Sequence, residues 1–112
     1  MNCQFKYSDY FIKQAKKLAK RHKSFLSDLE ELKKELQENP MLGDDLGNGI
    51  RKVRMAITSK GKGKSSGARV ITYNVIVSTE DLMIALLVVY DKSEYSNIKD
   101  NVIHKIVKDM NL

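Results

Sequence analysis

The chain has 112 residues, 42% hydrophobic and 30% charged, with a formal net charge of +6; this suits one soluble globular domain spanning 1–112 and excludes a disordered chain. A lone cysteine, Cys3, and two well separated histidines, His22 and His104, supply neither a disulfide framework nor a metal-ligand cluster, so no metal or small-molecule cofactor is expected. The longest apolar run, Leu82 to Tyr90, is strand length and not the roughly 20 residues of a bilayer span, and the N-terminal MNCQFKYSDY lacks the apolar core of a signal peptide, so a cytoplasmic protein with no membrane partner is expected.

Cys3, Phe5 and Tyr7 alternate with polar neighbours and read as a short strand. Ser8 is a suitable N-cap for a helix to about Lys23, with Phe11, Ala15, Leu18 and Ala19 as its apolar stripe and Lys13, Lys16, Lys17 and Lys20 over much of the rest. A second helix follows from about Ser24 to Glu38, its Phe25, Leu29, Leu32 and Leu36 in helical spacing, and Asn39-Pro40 ends it. Two helices joined this tightly read as a helical hairpin.

The stretch NPMLGDDLGNG (39–49) reads as a turn-rich connection. The period then changes to two: Val53, Met55 and Ile57 face one way, and Lys52, Arg54 and Ala56 the other. A Lys60–Gly67 loop leads into ARVITYNVIVS, a strand rich in β-branched and aromatic residues. After a turn at Thr79-Glu80-Asp81, LMIALLVVYD is apolar almost throughout, as expected of a strand buried on both faces. From an N-cap at Ser96, Ile98, Val102, Ile106 and Met110 mark a last amphipathic helix. The sum is an α+β chain of order β-α-α-β-β-β-α.

Charge is distributed in blocks. Residues 1–23 hold seven basic and one acidic residue, whereas 24–50 hold two basic and seven acidic. Between Arg51 and Arg69 lie seven Lys or Arg and no Asp or Glu. A cationic cluster of this kind suits a phosphate backbone, whose neutralisation releases condensed counterions. Lys52 and Arg54 share a strand face, and antiparallel pairing could bring Arg69 beside them as preset cations aimed at a phosphorane. The bland alternative is an exposed basic face that binds nothing. Gly63-Lys64-Ser65 echoes the end of a P-loop, but the glycine needed five residues earlier is Thr58, and the loop feeds a strand instead of a helix. The polar run Tyr90, Asp91, Lys92, Ser93, Glu94 and Tyr95 leaves the apolar strand where sites commonly form; a tyrosine there could stack on a base. The plainer account is a turn with Asp91 paired to a lysine. Both histidines read as surface or structural groups, and Cys3 as a small buried apolar residue.

The helical hairpin, NPMLGDDLGNGIRKVRMA, KGKGKSSGARVITY and LLVVYDKSEYSNI together resemble the RelE/HigB-like toxins of type II toxin–antitoxin systems, in the right order and over nearly the whole chain. A GK-rich loop before an S/G-G-x-R strand resembles the HigB-like branch in particular. The resemblance implies a compact RelE-like (microbial RNase-like) fold, with the N-terminal hairpin packed on a mainly antiparallel sheet. It also implies a ribosome-dependent mRNA endoribonuclease that needs no metal: the 2′-OH attacks the adjacent phosphate, leaving a 2′,3′-cyclic phosphate and a free 5′-OH. Its implied partners are a cognate antitoxin, the ribosome and mRNA.

By this resemblance Lys52 and Arg54 fall on the family's paired basic positions and Arg69 on its phosphate-gripping arginine. Arg69 and Arg54 would stabilise the transition-state phosphate, and Lys52 would assist deprotonation of the 2′-OH. The pattern departs after the last strand, where RelE has an arginine and this chain reads Lys92-Ser93. Lys92, Tyr90, Asp91 and Tyr95 are the substitutes for the leaving-group acid, in no fixed order. Lys60, Lys62 and Lys64 are expected to be a flexible cationic grip on RNA, joined by Lys13, Lys16, Lys17 and Lys20. Two rivals stand beside this: a ParE-like gyrase inhibitor, and a non-catalytic RNA-binding relative.

Overall fold

A computed structural model describes residues 2–112. Strand β1 (Asn2–Tyr7) leads into helices α1 (Asp9–Arg21) and α2 (Phe25–Glu38). Strands β2 (Asp44–Gly47), β3 (Ile50–Met55), β4 (Ala68–Ile76) and β5 (Asp81–Asp91) follow, and α3 (Asp100–Met110) closes the chain. The five strands form one sheet of order β1-β5-β4-β3-β2, antiparallel except for the β1–β5 pair. The α+β class, the helical hairpin and the mainly antiparallel sheet all stand as expected. The order differs by one strand, because Asp44–Gly47 within the expected 39–49 connection pairs with β3.

The sheet is covered on both sides. Phe11, Leu18, Phe25, Leu29, Leu32 and Leu36 of the helical hairpin pack on Val53, Met55, Val70, Ile84 and Val89. Ile103 and Ile106 of α3 pack on Ile50, Ile71, Ala85, Leu87 and Val88 from the other side. Central β5 is therefore buried on both faces, which accounts for its continuous apolar run. Each fully buried leucine or phenylalanine removes enough apolar area from water to contribute about 1.5–3 kcal/mol.

Two local devices set the faces. Ile71 pairs with Val88 but Thr72 pairs with Leu86, so Leu87 is an extra residue, a β-bulge in β5. Leu82, Ile84 and Leu86 face the hairpin before the bulge, whereas Val89 does so after it. Tyr90 consequently falls on the α3 side. Ser8 lies against this bulge, where its Oγ accepts from the Phe11 N–H at 2.9 Å and donates to the Leu87 carbonyl at 2.6 Å. It caps α1, as its sequence position suggests, and also satisfies a bulge carbonyl.

Helix α3 begins at Asp100 with Lys99 as N-cap, three residues later than the cap expected at Ser96. Ser96 lies in an exposed segment without helical backbone. Arg51, on the face opposite Lys52, donates to the carbonyls of Leu42 and Gly43 at 3.0 and 2.8 Å and so pins the turn before β2. Among the described residues no helix is long and apolar enough to cross a membrane.

Candidate phosphate-binding site

At one end of the sheet the β3–β4–β5 register lines up three side chains. Arg54 is directly opposite Arg69, and Arg69 is directly opposite Tyr90. Lys52 lies one step along β3 on the same face, opposite Ile71. The sequence-level grouping of Lys52, Arg54 and Arg69 is thus a geometric fact, with Tyr90 as the fourth member. Like charges directly opposite each other on a sheet are destabilising. Neither arginine has a carboxylate within ion-pair distance among the described residues.

The four groups differ in accessibility. Arg54 is exposed, while Lys52 is half-buried and donates from Nζ to Asn97 Oδ1 at 3.1 Å. Asn97 belongs to the segment between β5 and α3, and nothing in its spacing marks it beforehand. Arg69 is only 7% exposed. Its guanidinium turns back onto the loop that precedes it, donating to the carbonyls of Lys64, Ala68 and Ser65 at 3.1, 3.1 and 2.9 Å. Three of its five N–H donors are thereby engaged and two remain. The Tyr90 hydroxyl is buried without a hydrogen-bond partner. Burial pushes its phenol pKa up, against an opposing pull from the Arg69 charge, so it is protonated at neutral pH. Tyr95, half-exposed, meets the Tyr90 ring edge-on at 6.3 Å between centroids.

The loop from 58 to 67 is built as two 3-10 turns, Thr58–Lys60 and Lys64–Ser66. Gly67 closes it where a Cβ would overlap the Met55 carbonyl oxygen, so the chain crosses β3 at glycine distance. The three loop lysines fare differently. Lys60 is not a flexible grip: its Nζ is 2.6 Å from Asp91 Oδ1, donates to the Ser66 carbonyl at 3.2 Å, and is largely buried. This corrects its expected role, because a buried carboxylate takes up its charge. Lys64 is exposed and reaches Glu35 at 3.3 Å, and Lys62 is exposed with no ion pair among the described residues.

Asp91 is paired to a lysine, the plainer account of its segment. Burial alone would raise its pKa, but the Lys60 ammonium and the Ser93 N–H and hydroxyl hold the carboxyl well below the usual carboxylate range. His22 Nε2 lies 3.2 Å from Asp91 Oδ2, so this histidine is structural. Lys92 is exposed in the turn after β5, its backbone N–H donating to the Gly67 carbonyl at 3.0 Å.

On α1, Lys13, Lys16, Lys17 and Lys20 are all exposed, and three of them divide between two recesses. Lys17 lines a recess of about 130 Å³ with Gln14, Arg21, Tyr90, Glu94 and Tyr95, beside the site. Lys16 and Lys20 instead flank an apolar groove between α1 and α2 that includes Ile12, Ala15 and Leu26. Arg21 closes the recess through an ion pair with Glu94, a pairing with no sequence signal.

The sheet end therefore carries two arginines at directly opposed positions, an adjacent lysine and a buried protonated phenol, with Arg54 the exposed member of the group. A family model described as the RelE toxin of the RelE / RelB toxin-antitoxin system matches residues 6–110.

Proposed function

Since the chain belongs to the RelE toxin family, we propose that this toxin is a ribosome-dependent endoribonuclease that cuts mRNA by attack of a 2′-OH on the adjacent phosphate. Its family places it opposite an antitoxin in a toxin–antitoxin pair. The observation that carries the reading is the direct opposition of Arg54 and Arg69 with no carboxylate beside them among the described residues. Such a pair costs stability unless an anion comes between or over the two charges.

In the proposed step the 2′-oxygen bonds to phosphorus and the bond from phosphorus to the 5′-oxygen breaks. Arg54 and the two free N–H donors of Arg69 meet the charge that builds on the equatorial oxygens. Lys52 assists deprotonation of the 2′-OH, its Nζ meeting the charge that forms on the attacking oxygen while water takes the proton. Tyr90, kept protonated by burial, would give its proton to the departing 5′-oxygen only after its enclosed hydroxyl is uncovered. Lys92 is the alternative donor at this end of β5. Lys62, Lys64 and Lys17 hold the flanking RNA or ribosomal RNA.

Arg69→Ala tests the reading. The purified, folded variant is expected to cut mRNA on ribosomes about 100- to 1000-fold more slowly and to relieve growth arrest in cells. Cutting at the parental rate would sink the assignment. Co-expression of the antitoxin should also abolish the parental toxicity. The enclosure of Arg69 favours one second reading, a relative that binds RNA without cutting it; stoichiometric, salt-sensitive binding with intact mRNA is its signature. A failure of DNA supercoiling with mRNA intact would instead indicate a gyrase inhibitor.

A further inference from the structure

Asp91 gathers more polar partners than any residue of the arginine row, yet it stands outside the proposed chemistry. One residue beyond Tyr90 on β5, it is turned toward the helical hairpin, and its side chain is 1% exposed. Oδ1 receives Lys60 Nζ at 2.6 Å, the Ser93 N–H at 2.9 Å and the Ser93 hydroxyl at 2.8 Å. Oδ2 lies 3.2 Å from His22 Nε2 and 3.9 Å from the Arg21 guanidinium. One carboxylate thus ties together the C-terminal end of α1, the loop after β3 and the turn after β5.

Its reach extends to Arg69 through Lys60. The Lys60 ammonium, fixed by Asp91, also holds the Ser66 carbonyl at 3.2 Å. The Arg69 guanidinium holds the two preceding carbonyls, Lys64 at 3.1 Å and Ser65 at 2.9 Å. Three successive carbonyls of one loop are therefore gripped by two cations, and only one of those cations has a carboxylate behind it. A buried charge pair is expensive to build and is a poor choice if the only need were to pack a loop down. Its distinctive property is a fixed direction, which it passes to the loop carbonyls and from them to the guanidinium plane.

We propose that Asp91 and Lys60 are positioning residues that orient Arg69 by clamping the 58–67 loop. The proposal rests on the reading of Arg69 as a phosphate-binding group. Its sequel is that the loop is a rigid support of the site. The loop lysines are accordingly of two kinds, Lys60 as an internal clamp and Lys62 as an outward cation.

The test uses the full chain and the double variant Asp91→Asn/Lys60→Met, which removes both charges and leaves neither one buried alone. It is expected to fold, to exchange its Gly61 and Gly67 amide hydrogens at least tenfold faster, and to lower kcat for mRNA on ribosomes about 10- to 100-fold with KM within about threefold. Lys60→Arg, which preserves the charge and can reach both acceptors, should keep kcat within a fewfold of parental. Should the double variant be too unstable, Lys60→Arg and Lys60→Gln carry the same comparison: clamped loop and parental kcat in the first, faster exchange and reduced kcat in the second. Unchanged exchange at Gly61 and Gly67 in a neutral variant overturns the clamp. Faster exchange with parental kcat overturns the link to Arg69. If the parental chain cuts no mRNA, the endoribonuclease reading fails, while the exchange arm still upholds or overturns the clamp.

Discussion

Arg54 is a residue whose value to the fold and to the proposed chemistry have opposite signs. It is exposed and directly opposite a second arginine, so Arg54→Gln relieves a like-charge pair and is expected to leave stability unchanged or raise it by up to about 1 kcal/mol. The same change should lower mRNA cleavage. Parallel thermal melts and cleavage assays decide the matter, and a large loss of stability would show that Arg54 is a structural residue instead. Asp91 behaves oppositely. Its folded-state pKa is held below the unfolded carboxylate value of about 3.9, so its contribution is fully present above that value and is lost as pH falls through the folded-state pKa. Removing one partner of a buried pair costs about 3 kcal/mol. Asp91→Asn should therefore melt well below the parental protein at pH 7, and the two should converge as pH drops below about 4; a gap that stays constant with pH would refute the pairing. Spacing alone could group Lys52, Arg54 and Arg69, because period two fixes a strand face. It could not reveal the fate of Lys60, since a lysine among glycines has the same sequence signature whether it points to solvent or to a buried carboxylate 31 positions away.

Among the elements, those with a strong period were legible and those held only by backbone pairing were not. The hairpin helices announce themselves through leucine and phenylalanine spacing, and β3 through alternation. Strand β2 is four exposed residues, DDLG, whose membership of the sheet rests on main-chain bonds to β3; no side-chain pattern records that. The bulge at Leu87 was hidden for a related reason, because a strand apolar on both faces shows no alternation from which a change of face could be read. Yet the bulge decides which way Tyr90 and Asp91 point. Ser8 is its partner as well as the cap of α1, so Ser8→Ala loses two hydrogen bonds at once. The expected cost is about 1–2 kcal/mol, seen as a lower denaturant midpoint with an unchanged slope. A shift no larger than that of an exposed serine would mean that neither bond is significant.

On the scale of the whole molecule, the excess of seven cations between Arg51 and Arg69 does not act as one undivided charge. Lys60 is neutralised internally, Lys64 is drawn toward Glu35, and Arg51 is spent on two turn carbonyls. Lys52, Arg54, Arg69 and Lys62 remain without a carboxylate partner among the described residues, at the sheet end that also carries Lys17 and Lys92. Acidic Glu80 and Asp81 lie in and beside the turn between β4 and β5, at the opposite end. A phosphate chain should therefore be drawn to one end only, and its salt dependence should count the unpaired cations. On single-stranded RNA each neutralised phosphate contributes about 0.7 to the slope of log K against log salt. Lys62→Ala is accordingly expected to flatten that slope by about 0.7. The double variant Asp91→Asn/Lys60→Met removes one charge of each sign and should leave it unchanged. Titration of a short RNA at several salt concentrations makes the comparison directly. Equal flattening by both variants would mean that Lys60 reaches the RNA after all, and that its bond to Asp91 opens on binding.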